Sequence, residues 1–273
     1  MGGRTIVGMD ARARALQALA LTDPAAKAGA ATALWRDLCD GRASIDPVAV
    51  LEPAAPLPGR PARPRLVPPA QVPKRAVHTV EGRAALLHAI AHIEFNAINL
   101  ALDAAWRFAG LPQTFYRDWL CVAAEEALHF TLLAEHLATL GHAYGDFDAH
   151  DGLWAMAEKT RDDLVARMAL VPRTLEARGL DATPAIQRKL ARAGDARAVE
   201  VLDVILRDEV GHVAIGNRWY RWACARDALD PLAHDALLAE RHAAPPPKPP
   251  FNLQARRAAG FGDDEIAALQ RGR

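Results

Sequence analysis

The stretch CVAAEEALHF, Cys121 to Phe130, sets two adjacent acids and a histidine among alanine, valine, leucine and phenylalanine. On a helix turning about 100° per residue, Glu126 shares its face with Trp119, Val122, Ala123, His129, Phe130 and Leu133. That face is a core face. A carboxylate held there without a partner costs several kcal/mol or more, so Glu126 requires a compensating group.

The same projection surrounds Glu94, in AHIEFNAINL, with Leu87, Ile90, Ala91, Ala97, Ile98 and Ala101. It surrounds Glu209, in ILRDEVGHVAIG, with Leu202, Ile205, Leu206, His212 and Val213. Glu126-Ala-Leu-His129 and Glu209-Val-Gly-His212 are one local word written twice, each preceded by an acid, Glu125 and Asp208. A spacing of three puts each carboxylate beside its imidazole. One such pair reads as a structural hydrogen bond; two read as something more.

Four-helix bundles that hold two metal ions take a glutamate from each of two helices and Glu-x-x-His from each of the other two. Glu94 lies 32 residues before Glu126, and Glu176, in PRTLEARGLD, lies 33 before Glu209. Glu94 is 18 residues before Pro112 and Glu176 is 18 before Gly194, so two helical hairpins would bring each pair to nearly one height. The apolar stripe is weakest around Glu176, whose neighbours include Pro172, Arg173 and Gly179. Glu158, Asp162 and Asp163 stand as its rivals, and a helix broken around Arg178 to Pro184 would explain the interruption.

Outward from these helices, alanine and leucine at helical spacing from Ala11 to Leu38 predict one or two helices in an N-terminal segment, residues 1–43. Nine prolines between Pro47 and Pro73 make residues 44–78 an extended arm. Residues 79–226 carry the main helices: Thr79 as N-cap with a helix to about Ala109, Gln113 to Leu140 closed by Gly141, Asp151 toward Gly179 with a bend at Pro172, a short helix Pro184 to Ala193, and Asp195 capping a helix to about Arg226. Residues 227–273 form a second proline-rich arm with one short helix, read as a docked tail or a lid. The expected fold is all-α: a four-helix bundle with N-terminal helices and proline-rich arms.

The pattern of glutamates and histidines resembles the ferritin-like di-iron carboxylate superfamily, which includes ferritins, rubrerythrins, the radical-generating ribonucleotide reductase subunit, bacterial multicomponent monooxygenases and a tRNA hydroxylase. HDGLW (150–154), MALVPRTLEARGLD (168–181), LRDEVGHVAIGNRWY (206–220) and KPPFNLQAR (248–256) resemble a narrower bacterial family of ferritin-like proteins of unknown function. The resemblance spans roughly residues 79 to 258. It implies that Glu94, Glu126, His129, Glu176, Glu209 and His212 are di-metal ligands, with Glu126 and Glu209 bridging. It implies that Asp208 and Glu125 are acids that orient the ligand histidines. Hard carboxylates with few imidazoles suit two iron ions, with manganese or a mixed manganese and iron pair as the alternative.

The resemblance implies an oxidoreductase that activates dioxygen to oxidise or hydroxylate a small molecule, served by an external electron donor. The competing readings are iron handling or peroxide detoxification, and a bundle that metal merely stabilises. Lysine plus arginine equal aspartate plus glutamate at 33 each, so no global field favours nucleic acid, and a tRNA substrate draws support only from the hydroxylase relative. Three scattered cysteines point to a reducing compartment, read as the cytoplasm. No run of about 18 apolar residues marks a membrane span, MGGRTIVGMDARARALQALAL lacks the apolar core expected of a secretion signal, and MGGRTI lacks the Ser or Thr expected of a myristoylation signal. A homo-oligomer is compatible with all of this. His88 and His92 lie about 120° and 160° from Glu94, and they, like Tyr116, Tyr144 and Tyr220, read as packing residues.

Overall fold

The structure, a computed structural model, describes residues 10–72 and 76–272. The reading of MGGRTI therefore lies outside the described residues, as do residues 73–75 of the first arm. The described residues are all-helical: eleven α-helices, one short 3-10 turn and one π-helical segment, with extended chain pairing only at the isolated bridges Asp10 to Ser44 and Leu66 to Ala149. Backbone contacts divide the chain into two units, Met1–Pro64 with Ala91–Thr131, and Arg65–Ile90 with Leu132–Arg273.

In the first unit, α1 (Ala11–Ala20) packs on α2 (Pro24–Cys39), capped by Asp10 and Asp23, which accept from the backbone N–H groups of Ala13 and Ala26. The unit also takes α3 (Val80–Arg107) from Ala91 onward and α4 (Gln113–Thr139) as far as Thr131. The buried Arg12 guanidinium donates to the Ala105 and Trp106 carbonyls at 3.3 and 2.7 Å, placing a cation at the negative end of α3. It also donates to Asp46 and Ala49 carbonyls, which docks the first proline-rich segment. Buried Lys27 adds bonds to Gly59 O and Asn99 Oδ1 at 2.8 and 2.5 Å. Gly59 is required there, because a Cβ would lie 2.1 Å from the Ala20 carbonyl oxygen.

In the second unit the Thr79 hydroxyl accepts from the Gly82 N–H at 3.0 Å to start α3, and the end of α4 is closed by Gly141 at φ +78°. Then come α5 (Gly152–Lys159), α6 (Leu164–Leu170), the π-helical segment Val171–Glu176, α7 (Ala177–Arg192) and α8 (Ala196–Arg226), followed by α9 (Pro231–Arg241), α10 (Leu253–Ala258) and α11 (Asp263–Gln270). α6, the π-helical segment and α7 all pack against α8. The Asp195 cap of α8 is present, accepting from Ala198 N–H at 3.0 Å.

Three expectations need correction. The helix starting near Asp151 breaks at residues 160–163, where Asp163 caps a fresh start by accepting from Ala166 N–H at 2.9 Å. No break occurs at 178–184: Pro184 lies inside α7, and the Leu180 carbonyl it cannot serve accepts instead from the Asn252 side chain at 3.2 Å. The C-terminal region carries three helices where one was expected; α9 has a plain start signal in its Asp230 cap and Pro231 at the first turn.

The tail is docked within the second unit. Ala255, Ala259 and Phe261 pack with Ala177, Leu180 and Val213, and Arg256 forms a buried ion pair with Asp181 at 2.6 Å. By length and composition α3 would suffice to cross a membrane, but 78% of its apolar window is buried inside the protein, as in a core helix.

Candidate metal centre

In the first unit α3 carries Glu94 inward and α4 carries Glu126 and His129, all three at most 3% exposed. His129 Nδ1 lies 3.2 Å from Glu94 Oε2 and 3.3 Å from Glu126 Oε2, and one ligand atom from each residue falls within 4.8 Å of the others. The apolar face read from the sequence is the reason: Trp119, Val122, Ala123, Phe130 and Leu133 are all buried with Glu126.

Burial raises the Glu94 carboxyl to about 8, and the Glu126 charge pushes it the same way. Burial alone would lower His129, but the carboxylates of Glu126 and Glu94 outweigh it and hold the imidazole well above its ordinary value. Two buried acids and one imidazole thus gather positive charge from protons when nothing else supplies it. A divalent cation held by the two carboxylates and the imidazole would meet the same demand.

In the second unit Glu209 and His212 are buried on one face of α8, at 6% and 1% exposure. Glu176 ends the π-helical segment, also buried, while Glu158 and Asp162 are exposed and Asp163 is spent as the α6 cap. One turn beyond Glu176, Gly179 sits so close to α8 that a methyl there would lie 4.0 Å from the Glu209 carboxyl carbon. The π-helical segment is what the sequence did not reveal. Pro172 lies against Gly216 of α8, where a Cβ would come within 2.6 Å of the proline Cβ. Arg173 donates into a network with Asn217 at 2.7 Å, Asp235 and Glu265.

The two flanking acids are half-buried. Asp208 accepts from its neighbour Arg207 at 2.9 Å, and Glu125 lies beside Cys121, whose thiol is pushed up to about 12 by burial first and the Glu125 charge second. His88 accepts from Gly145 N–H at 2.9 Å and His92 pairs with Asn96 at 3.0 Å, which fits their reading as packing residues. The tyrosine hydroxyls of Tyr116 and Tyr220 donate to backbone carbonyls, and Tyr144 stacks on His88.

Residues 20–267 match the family described as "Protein of unknown function (DUF455)". The chain belongs to the DUF455 family. A Haemophilus influenzae relative described as "Uncharacterized protein" is 54% identical over 213 residues, covering 76% of this chain and 74% of the relative. No solved structure matches the chain. All six glutamates and histidines singled out by spacing lie within the segment matching DUF455, as do Gly179 and Gly216.

Proposed function

We propose that this DUF455 protein is a cytoplasmic di-iron carboxylate oxidoreductase built on a ferritin-like four-helix bundle, oxidising or hydroxylating a small molecule with electrons from an external donor. The carrying observation is the dry Glu94, Glu126 and His129 cluster, with ligand atoms within 4.8 Å and a strong demand for positive charge. The repeated Glu209 and His212 pair on α8, and Glu176 buried at the end of the π-helical segment, are the further donors that the two-metal recipe would call on. π-helical turns inside helices are frequent at functional sites.

In this reading Glu94, Glu126, His129, Glu176, Glu209 and His212 would be the residues that hold the metal ions. When bound, the metals supply the electron transfer that dioxygen activation requires. The chain's own part would be to fix the ligands on helices and to keep water from them with apolar neighbours on the same helix faces, Trp119 and Phe130 beside Glu126 and Leu202 and Val213 beside Glu209, all of which are buried.

The test is metal analysis of protein loaded anaerobically with ferrous iron, followed by optical and Mössbauer spectra after oxygen is admitted. About two irons per chain, with an oxygen-dependent spectrum that Glu126→Ala abolishes, would support the reading. Iron far above two per chain would favour iron handling. Iron that does not respond to oxygen would favour a metal-stabilised bundle, and absence of bound iron would sink the di-iron and iron-handling readings.

A further inference from the structure

The second unit contains a cavity of about 620 Å³ that no part of the metal reading uses. It is within the range of small-molecule sites, roughly 300–1,000 Å³. Its walls are Leu232, Ala236 and Ala239 of α9, the Pro245–Pro247 ribbon, Phe261, and Leu269 of α11; its polar floor includes Arg173, Asp235 and Glu265.

The floor's basic groups are already satisfied. Arg173, 4% exposed, is bound by Asn217, Asp235 and Glu265, and stacks over the Tyr220 and Phe261 rings at 4.7 and 5.2 Å. Arg256 is held by Asp181 at 2.6 Å. Glu265 is spent as well, its second oxygen accepting from Arg221 and the Gly262 N–H at 2.7 Å each.

Asp235 differs. One oxygen accepts from Arg173, and Oδ2 takes no hydrogen bond among the described residues, although the side chain is only 34% exposed. Glu240 and Arg271 also line the cavity as exposed side chains, neither with a side-chain hydrogen bond among the described residues. Next to the cavity floor, away from the exposed Glu240 and Arg271, the unspent polar capacity is therefore the Asp235 acceptor.

We infer that this cavity is a binding site for a primary amine with an apolar body, its ammonium donating to Asp235 Oδ2 and its aliphatic or aromatic part lying against Leu232, Ala236, the proline ribbon and Phe261. A carboxylate in the same pose would set its anionic head against Asp235 and be repelled. Burial raises the Asp235 carboxyl above its ordinary value despite Arg173, which is the position of an acid still short of positive charge. This goes beyond the metal reading and holds with or without iron.

The experiment is calorimetric titration of the full chain at pH 7.5, metal-free and iron-loaded, with 2-phenylethylamine, n-hexylamine, 3-phenylpropionate and 3-phenylpropan-1-ol. Saturable binding of an amine at one per chain, at least about tenfold tighter than the acid or the alcohol, is expected in both metal states. Asp235→Asn, which keeps an acceptor for Arg173, should weaken the amine about tenfold, and Ala236→Trp should abolish binding by filling the cavity. Absence of saturable amine binding, equal binding of the carboxylate, or amine binding untouched by Ala236→Trp would each overturn the assignment.

Discussion

The Asn252 side-chain amide donates to the Leu180 carbonyl at 3.2 Å, the one acceptor in α7 that Pro184 leaves open. The same residue caps α10 by accepting from Ala255 N–H at 3.2 Å, and its own N–H donates to Asp181 at 2.8 Å. A proline inside a helix is tolerated here because the docked tail supplies the missing donor. Asn252→Ala should lose both the cap and the donor, costing about 1–3 kcal/mol in urea unfolding. Asn252→Asp, which keeps the cap and cannot donate, should fall between the variant and the parent. Pro184→Ala should reduce the penalty of Asn252→Ala, because the restored N–H serves Leu180.

Gly216 and Pro172 form a second backbone fit. A Cβ at Gly216 would lie 2.6 Å from Pro172 Cβ and 2.8 Å from Cγ, distances at which something must move. Gly216→Ala should therefore destabilise the protein by about 1–3 kcal/mol, despite alanine's better helix propensity. Pro172→Ala should give little rescue, because it removes Cγ and leaves the closer Cβ. A double-mutant cycle by denaturant unfolding checks both statements, and a Gly216→Ala variant as stable as the parent would show that the segment yields without cost.

The helices with clean caps were legible in the sequence. Thr79, Asp195 and Gly141 stand where their local chemistry demands, and the inward faces of Glu94, Glu126 and Glu209 followed from period alone. The third helical stretch was not legible, because its form depends on distant partners. Pro184 reads locally as a helix start, and only Asn252, 68 residues later, makes it a helix interior. Pro172 reads as a bend, and the approach of Gly216 on another helix accompanies the π-helical turn. Arg173 looked like an interruption of an apolar stripe, whereas it serves a separate buried network built by α8, α9 and α11.

Gly179 offers a steric test of the second half of the candidate centre. A methyl there meets the Glu209 carboxyl carbon at 4.0 Å, which is ordinary contact, so Gly179→Ala should leave metal content unchanged and slightly stabilise α7. Gly179→Leu would push its branched end into the Glu209 carboxylate. It should lower iron content while helical circular dichroism is retained. Full iron loading in Gly179→Leu would mean that Glu209 does not serve as a ligand.

His88 governs a predicted acid sensitivity. Burial lowers its imidazole from 6.5 to about 4, only partly opposed by the Asp146 charge, and Nε2 accepts from the Gly145 N–H, a role that protonation abolishes. Below pH 6.5 the unfolded chain takes up a proton at this residue that the folded chain refuses until about pH 4. The folded state is therefore penalised progressively as pH falls across that window, by about 3 kcal/mol once pH 4 is passed, and not at all well above 6.5. His88→Gln, whose side-chain oxygen can accept from Gly145, should lose stability at pH 7.5 through poorer packing against Tyr144 and Phe147. It should lose less than the parent between pH 6.5 and 4. Urea midpoints measured at half-unit steps decide the matter: parallel pH profiles for parent and variant would mean that His88 is protonated without cost in the folded protein.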